Sequence, residues 1–508
     1  MSILQSIARA FSRTRGRRVQ GAFPGRFVRG RYDAAQTTDT MGLHWANANA
    51  SDSDACNTLS IRKKLRERMR YELANNSHAR GIVSTHANYV IGIGPKLRMQ
   101  SSSRGFNQMV ESDWQRWCKA VGSQHKLRLL FTAKVGDGES IGRLFTNPAV
   151  DNDVKLDIAL VECDRLTAPV SIVDTDQYVD GITYDEFGNP IFYDILKRHP
   201  GASWTGLLRA DDFDHVPAES VVHWFRADRP GQHRGIPELT PSLNLFGQGR
   251  RFKEAVISAA ETAASIAAYL EMGVSPQDDP DEAEPWTSVE IQKGMMMAGP
   301  AGATPHQMKA EQPATTYDMF IRSMVSEEAR PINMPYNIAA CDNKDQNFSG
   351  GRLNHHTYFV YVNVERSLAE THVVDRVFAV WFREQSALYR AAGYGQSLPT
   401  PKHSWDWPAM PQIDDLKTAK ARQTALSVGN TRLGLIYADD GLDFEDELPL
   451  MAAEYGVSVD EMRKRLLDCN LQLKQQTGED QDGSDDGRAT DDDQDIPAAA
   501  GGRFSLRN

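Results

Sequence analysis

Asp137 and Glu139 sit two residues apart in GDGES, 136–140. Converging carboxylates can hold a divalent ion, and a metal-dependent nuclease needs such a pair. The same five residues also read as a turn between strands, which is the plainer reading. His355 and His356 are adjacent, so on a helix they point about 100° apart and cannot share one metal. Asp491, Asp492, Asp493 and Asp495 lack the spacing and closing glutamate of a calcium loop, and read as a solvated acidic run. GIGPK, 92–96, lacks the third glycine of a dinucleotide fingerprint, and neither a P-loop nor an HExxH zinc pattern occurs. Cys56, Cys118, Cys163, Cys341 and Cys469 are scattered, odd in number and without a CxxC pair. They read as free thiols, not as a disulfide framework or a zinc site. No catalytic residue, metal or cofactor is expected, and a chain of this size without concentrated chemistry points to binding, assembly or transport.

The elements that would position binding residues centre on 249–352. Phe252, Val256, Ala259, Ala263, Ile266 and Leu270 recur at spacings of four and three. That spacing predicts a helix running to about 274, and its many alanines allow a neighbouring helix to come close. An irregular segment follows, then a second predicted helix over 317–330, which Pro331 ends. Next comes a polar loop, 334–352, with Gly350 and Gly351. A third helical pattern runs from Val360 towards Phe382.

The whole chain has 508 residues and a formal net charge of −11, unevenly spread. The first 32 residues carry eight arginines and no acid, whereas 479–495 carry nine acids and one arginine. The basic start has the composition of an organellar transit segment, but a basic arm that meets nucleic acid or an acidic partner is the favoured reading. No run approaches the eighteen apolar residues of a membrane span. Residues 1–58 read as largely irregular. From 59 a charged helix leads into helical segments up to about 121, and strands are expected at 127–131, 141–146, 154–162, 178–184, 191–198 and 220–225. Residues 353–411 hold the long helix and a Pro/Gly/Trp-rich connector, 412–475 resume helical patterns, and 476–508 are too polar to be ordered. The expected class is α+β.

Four stretches together resemble the lambda-like portal proteins of tailed bacteriophages. They are LRERMRYELANNSHARGIV with NYVIGIGPKL, GITYDEFGNPIFYDILKRHPG, VPAESVVHWFRADRPGQHRGIPELTPSL and PYNIAACDNKDQNFSGGR. Where that family usually reads Gly-Val-Pro-Tyr-Glu, this chain has Asn333-Met334-Pro335-Tyr336-Asn337, and Ser349-Gly350-Gly351-Arg352 replaces two serines and an arginine.

The resemblance implies a ring, generally of twelve subunits, at one capsid vertex, through which double-stranded DNA enters and leaves. It implies an α/β wing at 59–245 and stem helices within 246–333 with a small clip at 274–315. A tunnel loop at 334–352 and a helical crown at 412–475 complete that fold. Implied partners are the terminase large subunit, a head–tail connector, and a capsid or scaffold protein, with assembly in the bacterial cytoplasm. On this reading Phe252, Val256, Ala259, Ala263, Ile266 and Leu270 pack the ring. Lys344, Asp342, Asn347, Arg352, Arg322 and Arg330 stand towards DNA, each with a solvated surface charge or polar group as the plain alternative. A nucleic-acid-processing enzyme and another virion ring or shell component are the competing functions.

Overall fold

The computed structural model describes residues 48, 50–169, 174–202, 210–265, 269–272, 303–306, 316–344, 347–393, 402–410, 415–439, 442 and 444–468. The basic arm before 48, most of the clip segment, Ile266 and the acidic run after 475 lie outside these residues. The described residues up to Cys56 belong to one unit and those from Asn57 onward to another. In the first, the Asp52 carboxylate accepts from the Ala55 N–H at 2.7 Å, closing a small turn.

The second unit opens with α1 (Leu59–Asn75) and α2 (Ser77–Val90). Asn76 separates them by capping α2, its side chain accepting from the N–H groups of His78 and Ala79. After β1 (Lys96–Met99) come α3 (Arg104–Val121) and α4 (Ser123–Asp137), divided by Gly122 in the left-handed region. The strand expected at 127–131 is therefore part of a helix. Leu127, Leu130, Phe131, Lys134 and Val135 are buried at helical spacing, and a short apolar run such as LRLLF does not reveal its period by itself.

Strands β2 (Glu139–Thr146), β3 (Leu156–Val161) and β8 (Val221–Phe225) form an antiparallel sheet in the order β3-β2-β8. A second sheet is formed by β4 (Tyr178–Val179), β5 (Ile182–Tyr184), β6 (Pro190–Leu196) and β7 (Phe213–Pro217), in chain order. The DEFGN turn joins β5 to β6, with the Asp185 carboxylate accepting from the N–H groups of Phe187 and Asn189.

Helix α5 (Leu243–Ser265) follows, so the helical stripe does not reach Leu270. Leu270 lies instead on β9 (Tyr269–Met272), opposite Pro305 of β10 (Ala303–His306). The chain returns through α6 (Tyr317–Ala329), a one-turn α7 (Tyr336–Ala339) and α8 (Phe348–Ala369). A π-turn at Glu370–Val374 joins α8 to α9 (Asp375–Ala391). Its i→i+5 bond runs from the Asp375 N–H to the Glu370 carbonyl. Both side chains are held by the connector: Glu370 accepts from the Trp407 indole at 2.5 Å and Asp375 from that of Trp405 at 2.7 Å. Trp405 belongs to β11 (His403–Asp406), which pairs with β1.

The main core joins α1–α4, β2, β3 and β8 to α6–α9, and Trp117, Trp224 and Trp381 are fully buried in the protein. Helices α10 (Asp415–Ser427), α11 (Leu433–Asp439), α12 (Phe444–Glu454) and α13 (459–468) close the described chain, with a small core of Leu448, Ala452 and Met462.

Candidate nucleic-acid interface

The segment 334–352 is not one loop. Helix α7 occupies its start and the first turn of α8 its end, leaving 340–347 as the connection. Asn333 enters it with φ 53°, a conformation open to glycine and, among other residues, most readily to asparagine. Its side-chain oxygen accepts from Arg330 Nη1 at 3.0 Å. Met334 then turns into the core.

The polar residues that follow are pegged. Asp342 accepts from the Lys344 N–H at 3.0 Å and from the Tyr336 hydroxyl at 3.3 Å, and Arg322 Nη2 lies 3.6 Å away. The Lys344 N–H, then Tyr336 and Arg322, hold its carboxyl below the usual aspartate range. Arg322 also bonds Asp318 at 2.9 Å and stands over the Tyr336 ring. It thus works as a tether between α6 and the loop. Asn347 caps α8, its side chain accepting from Gly350 N–H at 2.7 Å. Gly350 and Gly351 therefore belong to a helix start. Lys344 and Arg352 are exposed, and neither side chain has an ion-pair partner among the described residues. Of the six residues expected to stand towards DNA, Lys344, Arg352 and the exposed Arg330 offer charge to solvent, while Asp342, Asn347 and Arg322 build the loop.

Between α5 and α6, Phe252 stacks on Tyr317 and meets Phe320 edge-on, with ring centroids 6.0 and 4.9 Å apart. Phe252, Val256 and Ala259 line a shallow apolar groove of about 700 Å³ with Tyr317, Met319 and Phe320. These three stripe residues face α6 of their own chain. Ala263 lies on α5, within its last turn.

Asp137 and Glu139 are taken up by a chain of charge that the sequence reading missed. Arg62, Asp180, Arg234, Glu139, Arg66, Asp164, Arg70 and Asp137 alternate in sign, each bonded to the next. Glu139 is fully buried; Arg66 and Arg234 donate to it, as does His223 Nε2 at 2.9 Å. Burial alone would raise its carboxyl, but Arg234 and Arg66 outweigh this and hold it well below the usual range. Asp137 is gripped by two nitrogens of Arg70, at 2.7 and 2.9 Å. Oxygens committed to guanidinium groups are poorly placed to ligate a metal. The readable signal was Arg62, Arg66 and Arg70 at steps of four, one face of α1.

The stretch HRGIPE, 233–238, completes this network. A Cβ on Gly138, at φ 92°, would stand 2.2 Å from the Ile236 backbone. That close crossing sets Arg234 against Glu139 and brings Glu238 within 2.7 Å of Lys134. Gly138-Glu139-Ser140-Ile141-Gly142 also matches the Gly-x-Ser-x-Gly pattern. A nucleophile elbow needs a strand-to-helix turn that exposes the serine. Here Ser140 is buried inside β2, paired with Trp224.

The neck of an empty gene transfer agent particle, computed with C6 symmetry, is one similar solved structure, with 13% identity and a TM-score of 0.37. The match covers 74% of this chain and 92% of that one. The virion of a native gene transfer agent particle is another, at 12% identity and a TM-score of 0.36, covering 66% and 94%. No curated protein matches. The family model of the phage portal protein, lambda family, matches residues 41–366. That span is more than half of the chain and takes in the arginine face of α1, HRGIPE, α5, α6 and the 340–347 connection, so the chain belongs to the lambda family of phage portal proteins.

Proposed function

We propose that the chain assembles as a ring of twelve copies at one capsid vertex, forming the channel through which double-stranded DNA is packaged and later ejected. Its partners are the terminase large subunit, then a head–tail connector, with a capsid or scaffold protein around it. Assembly takes place in the bacterial cytoplasm, and the product is a virion component. The paired stem helices α5 and α6, the clip between them and the connection 340–347 carry the channel. Nothing in this role calls for catalysis.

The observation that carries the ring is an uncovered seam on α8. Leu353, Thr357, Val360, Val364 and Ser367 are all exposed and follow one another at steps of four and three. Leu353 is 64% exposed, Val360 59% and Val364 53%. That spacing is the seam of a helix that packs along a second helix at a shallow angle. The groove lined by Phe252, Val256 and Ala259 is open as well, and with the exposed Ile257 and Met319 it adds apolar surface for a neighbouring copy to cover. The sparse cations suit a channel that must let DNA slide, since each phosphate neutralised adds counterion-release affinity.

Electron microscopy of the purified protein tests this reading. Rings with a central hole are expected from the wild type, and smaller species from Val360→Asp combined with Val364→Asp. A wild-type protein that stays monomeric at high concentration and low salt would overturn it.

A further inference from the structure

The base of the stem holds a carboxyl group that the portal role does not explain. Glu328 of α6 is 3% exposed, and its Oε2 is buried without a hydrogen-bond partner. It lies against Gly249 of α5. A Cβ built on Gly249 of α5 would stand 2.4 Å from Met324 Cε and 3.5 Å from Glu328 Oε1. A larger residue at Gly249 would have to push aside the end of Met324 and would press against the Glu328 carboxyl.

The surrounding charges do not supply one either. From α5, Lys253 acts on Glu328 through space but forms no ion pair with it. Arg250, also on α5, is committed to Glu72 of α1 at 3.1 Å. Glu72 is itself buried, accepts from Asn76 Nδ2 at 3.3 Å, and repels a charge on Glu328. His78 of α2 is half-buried, and burial, then Lys253, lowers its imidazole. On α6 itself, the neighbouring Glu327 takes part through its carbonyl, which accepts from Ser242 Oγ at 3.4 Å. An ionised carboxylate in this setting would be a buried charge without a partner, which is costly.

We propose that Glu328 is a proton-operated latch at the joint between stem and wing: protonated, it lets α5 and α6 close at Gly249; ionised, it loosens that crossing. Burial, reinforced by Glu72 and opposed by Lys253, brings the carboxyl up to about 7. A carboxyl raised in the folded state binds its proton more tightly there than in the unfolded chain. Its stabilising effect is therefore present at low pH and is lost as pH rises through about 7.

The test compares thermal unfolding of the wild type and Glu328→Gln from about pH 5 to about pH 9. The wild type should lose several degrees relative to the variant as pH rises towards about 7, and the difference should level off above that. Glu72→Gln should move that change to lower pH, by removing the like charge. A difference that stays constant over the range overturns the proposal. Should Glu328→Gln fail to fold, infrared difference spectra of the wild type decide. A protonated-carboxyl band should disappear as pH passes through neutrality. Loss of that band at the usual carboxylate value of about 4.3, or its persistence to the top of the range, equally overturns the latch.

Discussion

Lys134 Nζ lies 2.5 Å from Glu365 Oε2, though 231 residues separate the two in sequence. Glu238 reaches the same ammonium at 2.7 Å, and all three side chains are buried. Burial alone would lower the lysine; the two carboxylates outweigh it and raise it, so the charge is kept. One buried cation thus ties α4 and the HRGIPE stretch to α8, the helix that begins at the 340–347 connection.

Lys134→Met removes that cation and leaves Glu238 and Glu365 facing each other in the core. A buried ion network broken on one side costs about 3–5 kcal/mol. Urea unfolding of wild type and variant should show a midpoint shift of that size. Adding Glu238→Gln and Glu365→Gln should recover much of it, because amides bury at lower cost than orphaned charges. A single variant as stable as the wild type would mean that the three groups are solvated.

The charge chain around Glu139 predicts an acid dependence of definite sign. Its folded carboxyl is depressed, so its contribution is complete above the unfolded value of about 4.3 and fades as pH falls through the folded value. Glu139→Gln should be less stable than the wild type at pH 7 by about 3 kcal/mol or more, with the gap closing under acid. Denaturant titrations at a series of pH values read this directly. Two parallel stability curves would show that Glu139 is not held ionised by Arg66 and Arg234.

The parts of this molecule legible in its sequence are those with a long, regular period. The helix at Phe252, Val256 and Ala259, the second helix from Tyr317 and the long helix beyond Val360 all showed their repeat. LRLLF misled because five residues carry no period, and its burial on α4 depends on the distant β2 and β8. The 340–347 connection was recognised as polar, but not as pegged, since Arg322 and Asp342 meet only after α6 and α7 fold back. The arginines at 62, 66 and 70 look like a solvated face until Glu139 and Asp164 are brought beneath them. Charge pairs between remote segments leave no local pattern.

Asn333 offers a test of backbone conformation apart from side-chain contact. Its positive φ costs a β-branched residue about 1–2 kcal/mol. Asn333→Gly should be tolerated, since it loses only the exposed bond to Arg330. Asn333→Val should be destabilised by that amount, with chymotrypsin cleaving after Tyr336 sooner. Equal protease resistance in the two variants would show that this turn can relax to a negative φ.

Lys344 separates channel function from fold. Its backbone N–H is used by Asp342, but its ammonium is exposed and has no ion-pair partner among the described residues. Lys344→Glu should therefore leave ring assembly and thermal stability unchanged. In a ring it converts one circle of positive charge into a negative one, at the place where the proposed channel meets phosphates. Each lost cation removes a counterion-release contribution, and each new carboxylate repels the duplex. A complementation assay scoring empty against filled heads should show fewer filled heads, and adding Arg352→Glu should deepen the defect. Lys344→Gln neutralises the charge without inverting it, and should fall between wild type and Lys344→Glu. Wild-type yields of filled heads from all three variants would place the 340–347 connection away from the DNA path, whatever the state of the ring.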